Sequence, residues 1–120
     1  MTIFGHEYGF KLTVGAAAAI ADHCPDGDLN RMNEVLTGKF SGTIDFMASM
    51  IEAMAAGFDD AERYAGKEIT HPKLTADMVK ALPSDVFQDV QNAALTAFKA
   101  DTKTTVEVEK KKKKEEQNNP

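Results

Sequence analysis

The feature that most constrains the fold is a long amphipathic segment in the middle of the chain, residues 43–56. Its apolar side chains recur at i, i+3, i+4 and i+7, the spacing that places them on one face of an α-helix. They are Ile44, Met47, Ala48, Ile51, Met54 and Ala55, and Phe58 continues the pattern. The segment therefore predicts a helix with Thr43 as its N-cap and with this face turned to the core.

Two large side chains of the same helix, Phe46 and Met50, lie off that stripe. A helix that is apolar over so wide an arc predicts a second contact besides the core. Methionine side chains suit surfaces that adapt to partners, although filling a core is the alternative role for them, above all for Met47 and Met54. The predicted groove would take a partner helix or a second copy of the chain, and its candidate residues are Phe40, Ile44, Phe46, Met47, Met50 and Met54.

The remainder of the chain predicts a mainly α fold with a small N-terminal β-hairpin. Residues 2–14 alternate apolar and polar side chains, and Gly5 and Gly9 offer positive-φ turn positions. Gly57 is expected to kink or end the central helix, with Asp59 and Glu62 as a capping box that restarts it. Four more helices are expected at residues 15–24, 28–36, 75–82 and 84 to about 100, the last with Val86, Phe87, Val90, Ala94, Ala97 and Phe98 on its apolar face.

The expected organisation is one compact bundle of about five helices, residues 1–101, followed by a flexible charged tail, residues 102–120. A chain of 120 residues supports a single core of ordinary size. Beyond Val108 the tail has no large apolar residue, so it cannot join that core; a solvated helix over residues 107–116 is the alternative.

Charge and cysteine usage exclude several classes of function. Residues 1–105 carry 9 basic and 15 acidic side chains, a net charge of −6, which predicts no nucleic-acid binding by the folded body. The single Cys24 predicts no internal disulfide, and the longest early apolar run is too short to span a bilayer. No signal-peptide pattern opens the chain, so we expect a cytoplasmic protein without membrane contact.

No motif in the sequence predicts an active site. The segment 22–30 holds Asp22, His23, Cys24, Asp26 and Asp28, but it lacks the glycine and closing acidic positions of a calcium loop and the second ligand pair of a zinc site. We interpret it as a helix stop, a turn and an N-cap, with Cys24 buried. The segment 37–43 resembles a phosphate-binding loop in composition only. We therefore expect no cofactor, no metal and no enzyme activity.

With these elements placed, the chain resembles the tail assembly chaperones of long-tailed bacteriophages and prophages. The residues that carry the resemblance are the early segment around Ile3, Phe4 and Tyr8 to Leu12, the alanine-rich first helix, the helix from Ile44 to Phe58, and Leu74 to Met78 before the last helix. The resemblance implies a non-enzymatic protein that binds the tape measure protein in the host cytoplasm and keeps it soluble during tail tube assembly. The tail tube protein and a second copy are further candidate partners.

Members of that family are often made in two forms, the longer through a programmed frameshift near the end of the short reading frame. The lysines Lys110 to Lys114 are a candidate position for such a slip, because both lysine codons begin with AA. The alternatives are another phage structural or adaptor protein, a small helical transcription regulator, and, last, a small enzyme.

Overall fold

The structure, a computed structural model, describes the backbone of residues 1–117 and the side chains of residues 1–102. Within that part the chain forms one hairpin and five α-helices, and the structure is mostly helical, 67%. The predicted fold class is confirmed. The elements are β1 (Thr2–Ile3), β2 (His6–Glu7), α1 (Val14–Ala21), α2 (Met32–Leu36), α3 (Phe40–Tyr64), α4 (Ala76–Lys80) and α5 (Ser84–Gln117), with short 3-10 helices at Pro25–Gly27 and Leu29–Arg31 between α1 and α2.

The hairpin is shorter than its alternating pattern predicts. The antiparallel strands β1 and β2 meet across Phe4 and Gly5, which both have positive φ, 49° and 78°, as a type I′ turn requires. Gly9 does not serve as a positive-φ turn residue. Gly9 lies against α3 at a position where there is no space for a side chain, because a Cβ there would lie 2.6 Å from ring carbons of Phe58.

The central helix α3 packs against α1, α2, α4 and α5, so it is the axis of the fold. It begins at Phe40, earlier than predicted, and the assignment of Thr43 as its N-cap is wrong. Instead the Thr43 hydroxyl donates to the carbonyl oxygen of Val35 at 3.1 Å, which fastens the turn between α2 and α3.

Helix α3 also continues without interruption through Gly57 to Tyr64, so the predicted break and the restart at Asp59 are wrong. Gly57 is buried where the N-terminal segment crosses the helix. A Cβ there would lie 2.7 Å from the carbonyl oxygen of Lys11 and 2.9 Å from the Thr13 hydroxyl oxygen. The glycine therefore permits a close crossing of two segments rather than ending a helix.

Helix α1 spans Val14–Ala21 and so ends before its predicted limit at residue 24, whereas the last two helices begin where they were predicted. The Thr13 hydroxyl accepts a hydrogen bond from the Ala16 N–H and caps α1, and Thr75 caps α4 by accepting from the Met78 N–H at 3.2 Å. Helix α5 begins at Ser84, as expected. Its predicted apolar face lies in the core or packs against it: Val86, Phe87, Val90, Ala94, Ala97 and Phe98.

Helix α5 extends to Gln117, past its predicted end near residue 100. Its backbone follows the alternative prediction, in which a solvated helix continues over residues 107–116. The side chains of residues 103–120, Lys110 to Lys114 among them, lie outside the described residues. The predicted flexibility of residues 102–120 therefore stays a prediction. Among the described residues, no helix combines the length and the apolarity needed to cross a bilayer.

Candidate partner-binding groove

Four of the six candidate partner-binding residues are buried in the core. Phe46 is 3% exposed and Met50 is 1% exposed, so the prediction that these two face a partner is wrong. The reason is that α3 is surrounded by four other helices, which cover the side of the helix that a surface helix would turn to water. Met47 and Met54 are buried as well, in agreement with the core-filling alternative for them.

The other two candidates, Phe40 and Ile44, lie together at an open groove. It is formed by the first turns of α3, the end of α4 with the turn that follows it, and the first turns of α5, and it encloses about 380 Å³. Apolar side chains from all three parts line it: Phe40, Ile44, Leu82 and Phe87, with Lys80, Ser84, Gln88 and Gln91 as the polar lining. The two candidates at the start of α3 therefore line an open groove, and the four that follow them lie in the core.

The groove exists because the apolar face of α3 extends beyond the part of the core that other helices cover. Phe40, Ile44 and Met47 follow one another at i, i+4 and i+7, so they share one helix face. Met47 is fully buried, Ile44 is half-buried, and Phe40 is 81% exposed. A phenylalanine left in water at the end of a buried stripe is the kind of surface that a partner covers.

The polar part of the groove carries little net charge. The Lys80 ammonium lies 2.6 Å from a carboxylate oxygen of Asp45, and this hydrogen bond is the main reason that the pKa of Lys80 is raised above its ordinary value. The remaining polar lining is neutral, from Ser84, Gln88 and Gln91. The groove therefore offers apolar contact and neutral hydrogen-bonding groups beside one ammonium group that is already paired with Asp45.

The segment 22–30 has the geometry of a turn. Arg31 pairs with Asp26 and, at 2.6 Å, with Glu34, while Asp28 accepts a hydrogen bond from the Asn30 N–H at 3.0 Å. Among the described residues, no group of three or more His, Cys, Asp and Glu side chains is arranged to hold a metal ion. Asp26 and Asp28 are thus engaged in local turn and ion-pair contacts.

Cys24 lies below this turn and is 6% exposed. Its sulfur is 3.5 Å from the carbonyl oxygen of Ile20, to which the thiol donates. Burial raises the pKa of the Cys24 thiol, and the negative charge of Asp28 adds to the rise. A thiol that is buried and held protonated is a poor nucleophile, so the geometry favours a structural role for it.

One polar cluster was not anticipated from the sequence. The Nε2 atom of His71 lies 2.9 Å from both carboxylate oxygens of Asp59, which is 6% exposed, and the His71 ring packs against that of Tyr8 with centroids 4.4 Å apart. The Tyr8 hydroxyl donates to the Pro72 carbonyl oxygen at 2.7 Å. The cluster joins three segments far apart in sequence, so no local spacing signals it, and it fastens the linker before α4 to the hairpin and to α3.

Comparison with protein-family models, with curated proteins and with solved structures gave no match to this chain.

Proposed function

We propose that this chain is a tail assembly chaperone of a long-tailed bacteriophage or prophage, a protein that acts in the bacterial cytoplasm by holding the tape measure protein soluble until the tail tube forms around it. The observation that carries the proposal is the open groove beside Phe40, which leaves a large aromatic side chain 81% exposed. A chaperone of this kind requires an apolar surface that is available before the partner arrives.

The groove has the properties expected of a site for an amphipathic helix. Its apolar lining comes from α3, from α5 and from the turn between α4 and α5. Leu82 and Phe87 pack against the core, so this side of the site is formed before binding. An apolar stripe on a partner helix would enter the groove, and the polar flanks of that helix would meet Ser84, Gln88 and Gln91. Long helical proteins with such stripes are prone to aggregate when nothing covers them.

The fold supports the proposal, because this chain and the tail assembly chaperones that it resembles both have an N-terminal β element followed by a set of helices. The role proposed for the chain is binding rather than catalysis. The run from Lys110 to Lys114 supports the further proposal that a longer form is made by a frameshift. The nucleotide sequence across residues 106–120 tests that part: the proposal expects an A-rich slippery heptamer with an overlapping reading frame, and mixed codons without an overlapping frame would contradict it.

The solubility of the partner tests the chaperone role itself. The chain is co-expressed with the tape measure protein of the same phage or prophage, and the soluble fraction of that protein is measured with and without the chain. We expect a clear rise with the native chain and loss of most of that rise with Phe40→Asp. Tyr64→Asp is the matched control, because Tyr64 is 91% exposed on the same helix and does not line the groove.

Circular dichroism of both variants shows whether they keep the native helix content, which their exposure predicts. If the soluble fraction of the tape measure protein is unchanged by the native chain, or if Phe40→Asp and Tyr64→Asp act alike, the proposed function is wrong.

A further inference from the structure

The edge of the groove that α5 forms carries two carboxylates. Ser84 and Gln88 line the groove, and both are followed directly by an exposed aspartate, Asp85 and Asp89. Asp85 also precedes Gln88 by three positions, and Asp89 follows Asp85 by four. Residues three or four positions apart are neighbours on a helix surface, so the two aspartates form a row along the solvent side of this edge.

Neither of these carboxylates is neutralised by a neighbour. Among the residues whose side chains the structure describes, no lysine, arginine or histidine forms an ion pair with Asp85 or Asp89. Asp85 lies in the first turn of α5, where a negative charge stabilises the helix, whereas Asp89 lies one turn later, where that effect has faded. Two negative charges are therefore available to a partner at this edge.

The α4 side of the groove does not offset these charges. The Lys80 ammonium donates to Asp45 at 2.6 Å, which raises the pKa of Lys80, and the negative charge of Asp77 adds to the rise. Lys39 is exposed next to Phe40 and brings a second positive charge. Together with the two carboxylates of α5, the charges named around the groove are four acidic and two basic ones, a net charge of −2. An acidic rim thus surrounds an apolar hollow.

We propose that the partner segment in the groove is an amphipathic helix with lysine or arginine on the flank that faces α5. This inference rests on the proposed function and specifies the chemistry of the partner helix. The apolar stripe of that helix fills the hollow beside Phe40, and its basic side chains reach Asp85 and Asp89. Lysine and arginine suit this position, because their stems cross apolar surface while the charged ends stay in water. A second copy of this acidic chain, net −6 over residues 1–105, would instead bring like charges together.

Overlapping peptides from the tape measure protein of the same phage or prophage identify the segment. Peptides of about 25 residues are long enough to form a helix on the groove. Each peptide is titrated into the native full chain and into Phe40→Asp, and a peptide that binds the variant more weakly is assigned to the groove. We expect the polar face of such a peptide to carry a net positive charge. If no peptide depends on Phe40, the proposed function fails and this inference with it; if the groove-binding peptides are neutral or acidic, only this inference fails.

Two variants with the same change in net charge test the edge formed by α5. Asp85→Asn combined with Asp89→Asn removes two negative charges beside the groove, and Glu68→Lys changes the charge equally at an exposed position beyond the other end of α3. We expect the first variant to weaken binding of the groove peptide by about fivefold, the effect of two exposed ion pairs, and the second to leave the affinity nearly unchanged. High salt should remove the difference. Circular dichroism checks that both variants keep their helix content. Equal affinities of the two variants would overturn the inference and leave the proposed function standing.

Discussion

At the scale of single residues, two glycines of α3 show how position decides what a residue contributes. Gly57 lies under the crossing N-terminal segment, where a Cβ would approach the Lys11 carbonyl oxygen to 2.7 Å. Gly42, in the first turn of the same helix, has no atom within 4 Å of the place where its Cβ would be. A methyl group from alanine would therefore clash with the backbone at position 57 and meet no atom at position 42.

Gly57→Ala should destabilise the protein by about 1–3 kcal/mol, because backbone atoms must move apart to admit the methyl group. Gly42→Ala should be neutral or stabilise by up to about 1 kcal/mol, because alanine restricts the unfolded chain and favours helix. Urea unfolding followed by circular dichroism measures both free energies of unfolding. The interpretation of Gly57 as a crossing point is wrong if both variants gain stability.

The thiol of Cys24 gives a prediction that depends on pH. Because burial raises its pKa, the native chain keeps this thiol protonated at pH values where an unfolded chain would already ionise it. Its contribution to stability is therefore fully present below the ordinary thiol pKa and is lost as the pH rises through the raised value. Iodoacetamide at about pH 8 should modify Cys24 slowly in the native protein and rapidly in urea. Equal rates in the two states would show that the thiol is accessible.

At the scale of elements, the buried contact between Asp59 and His71 ties the linker before α4 to α3. His71→Ala should cost roughly 2–4 kcal/mol, because it leaves a buried carboxylate without its partner. Arg63→Ala is the control, since its pair with Asp60 at 2.7 Å is exposed at both ends and should contribute under about 1 kcal/mol. Thermal or urea unfolding compares the two variants. A smaller loss for His71→Ala than for Arg63→Ala would contradict this account of the linker.

Helix positions were predicted from the sequence where the signals are local. The threonine caps at Thr13 and Thr75 are made by bonds to residues three positions away, and the apolar spacing of α5 identifies its buried face. The Thr13 cap of α1 was not predicted, although its hydrogen bond to the Ala16 N–H is just as local. Capping bonds and apolar spacings over three or four positions can be recognised in a short window of sequence, which is why α4 and α5 begin where they were expected.

The prediction failed where the deciding contact is distant in sequence. Gly57 has the local pattern of a helix end, yet its environment is set by Lys11 and Thr13, far away along the chain. Phe46 and Met50 have the pattern of a second exposed face, yet α3 is enclosed on that side by other helices. Hydrophobic spacing reveals that a side chain is apolar and which face it occupies; it does not reveal whether a neighbour covers that face or water does.

At the scale of the whole molecule, the fold surrounds the middle of one long helix, α3, and leaves its first turn uncovered. From Phe46 to Ala55 the apolar side chains of α3 are in the core, whereas Phe40 at its start is exposed. The covered part supplies stability, and the uncovered part is the binding surface that we propose. The acidic body, net −6 over residues 1–105, adds repulsion between folded chains and supports solubility despite that exposed ring.

The central claim is that a helical segment of the tape measure protein binds in the groove beside Phe40. Titration of such a segment into the purified chain, followed by calorimetry, measures it most directly. We predict that Phe40→Asp weakens binding by about 30-fold, the effect of losing roughly 2 kcal/mol at a central aromatic contact, while Tyr64→Asp leaves the affinity unchanged. Equal affinities for the native chain and the Phe40→Asp variant would contradict the claim.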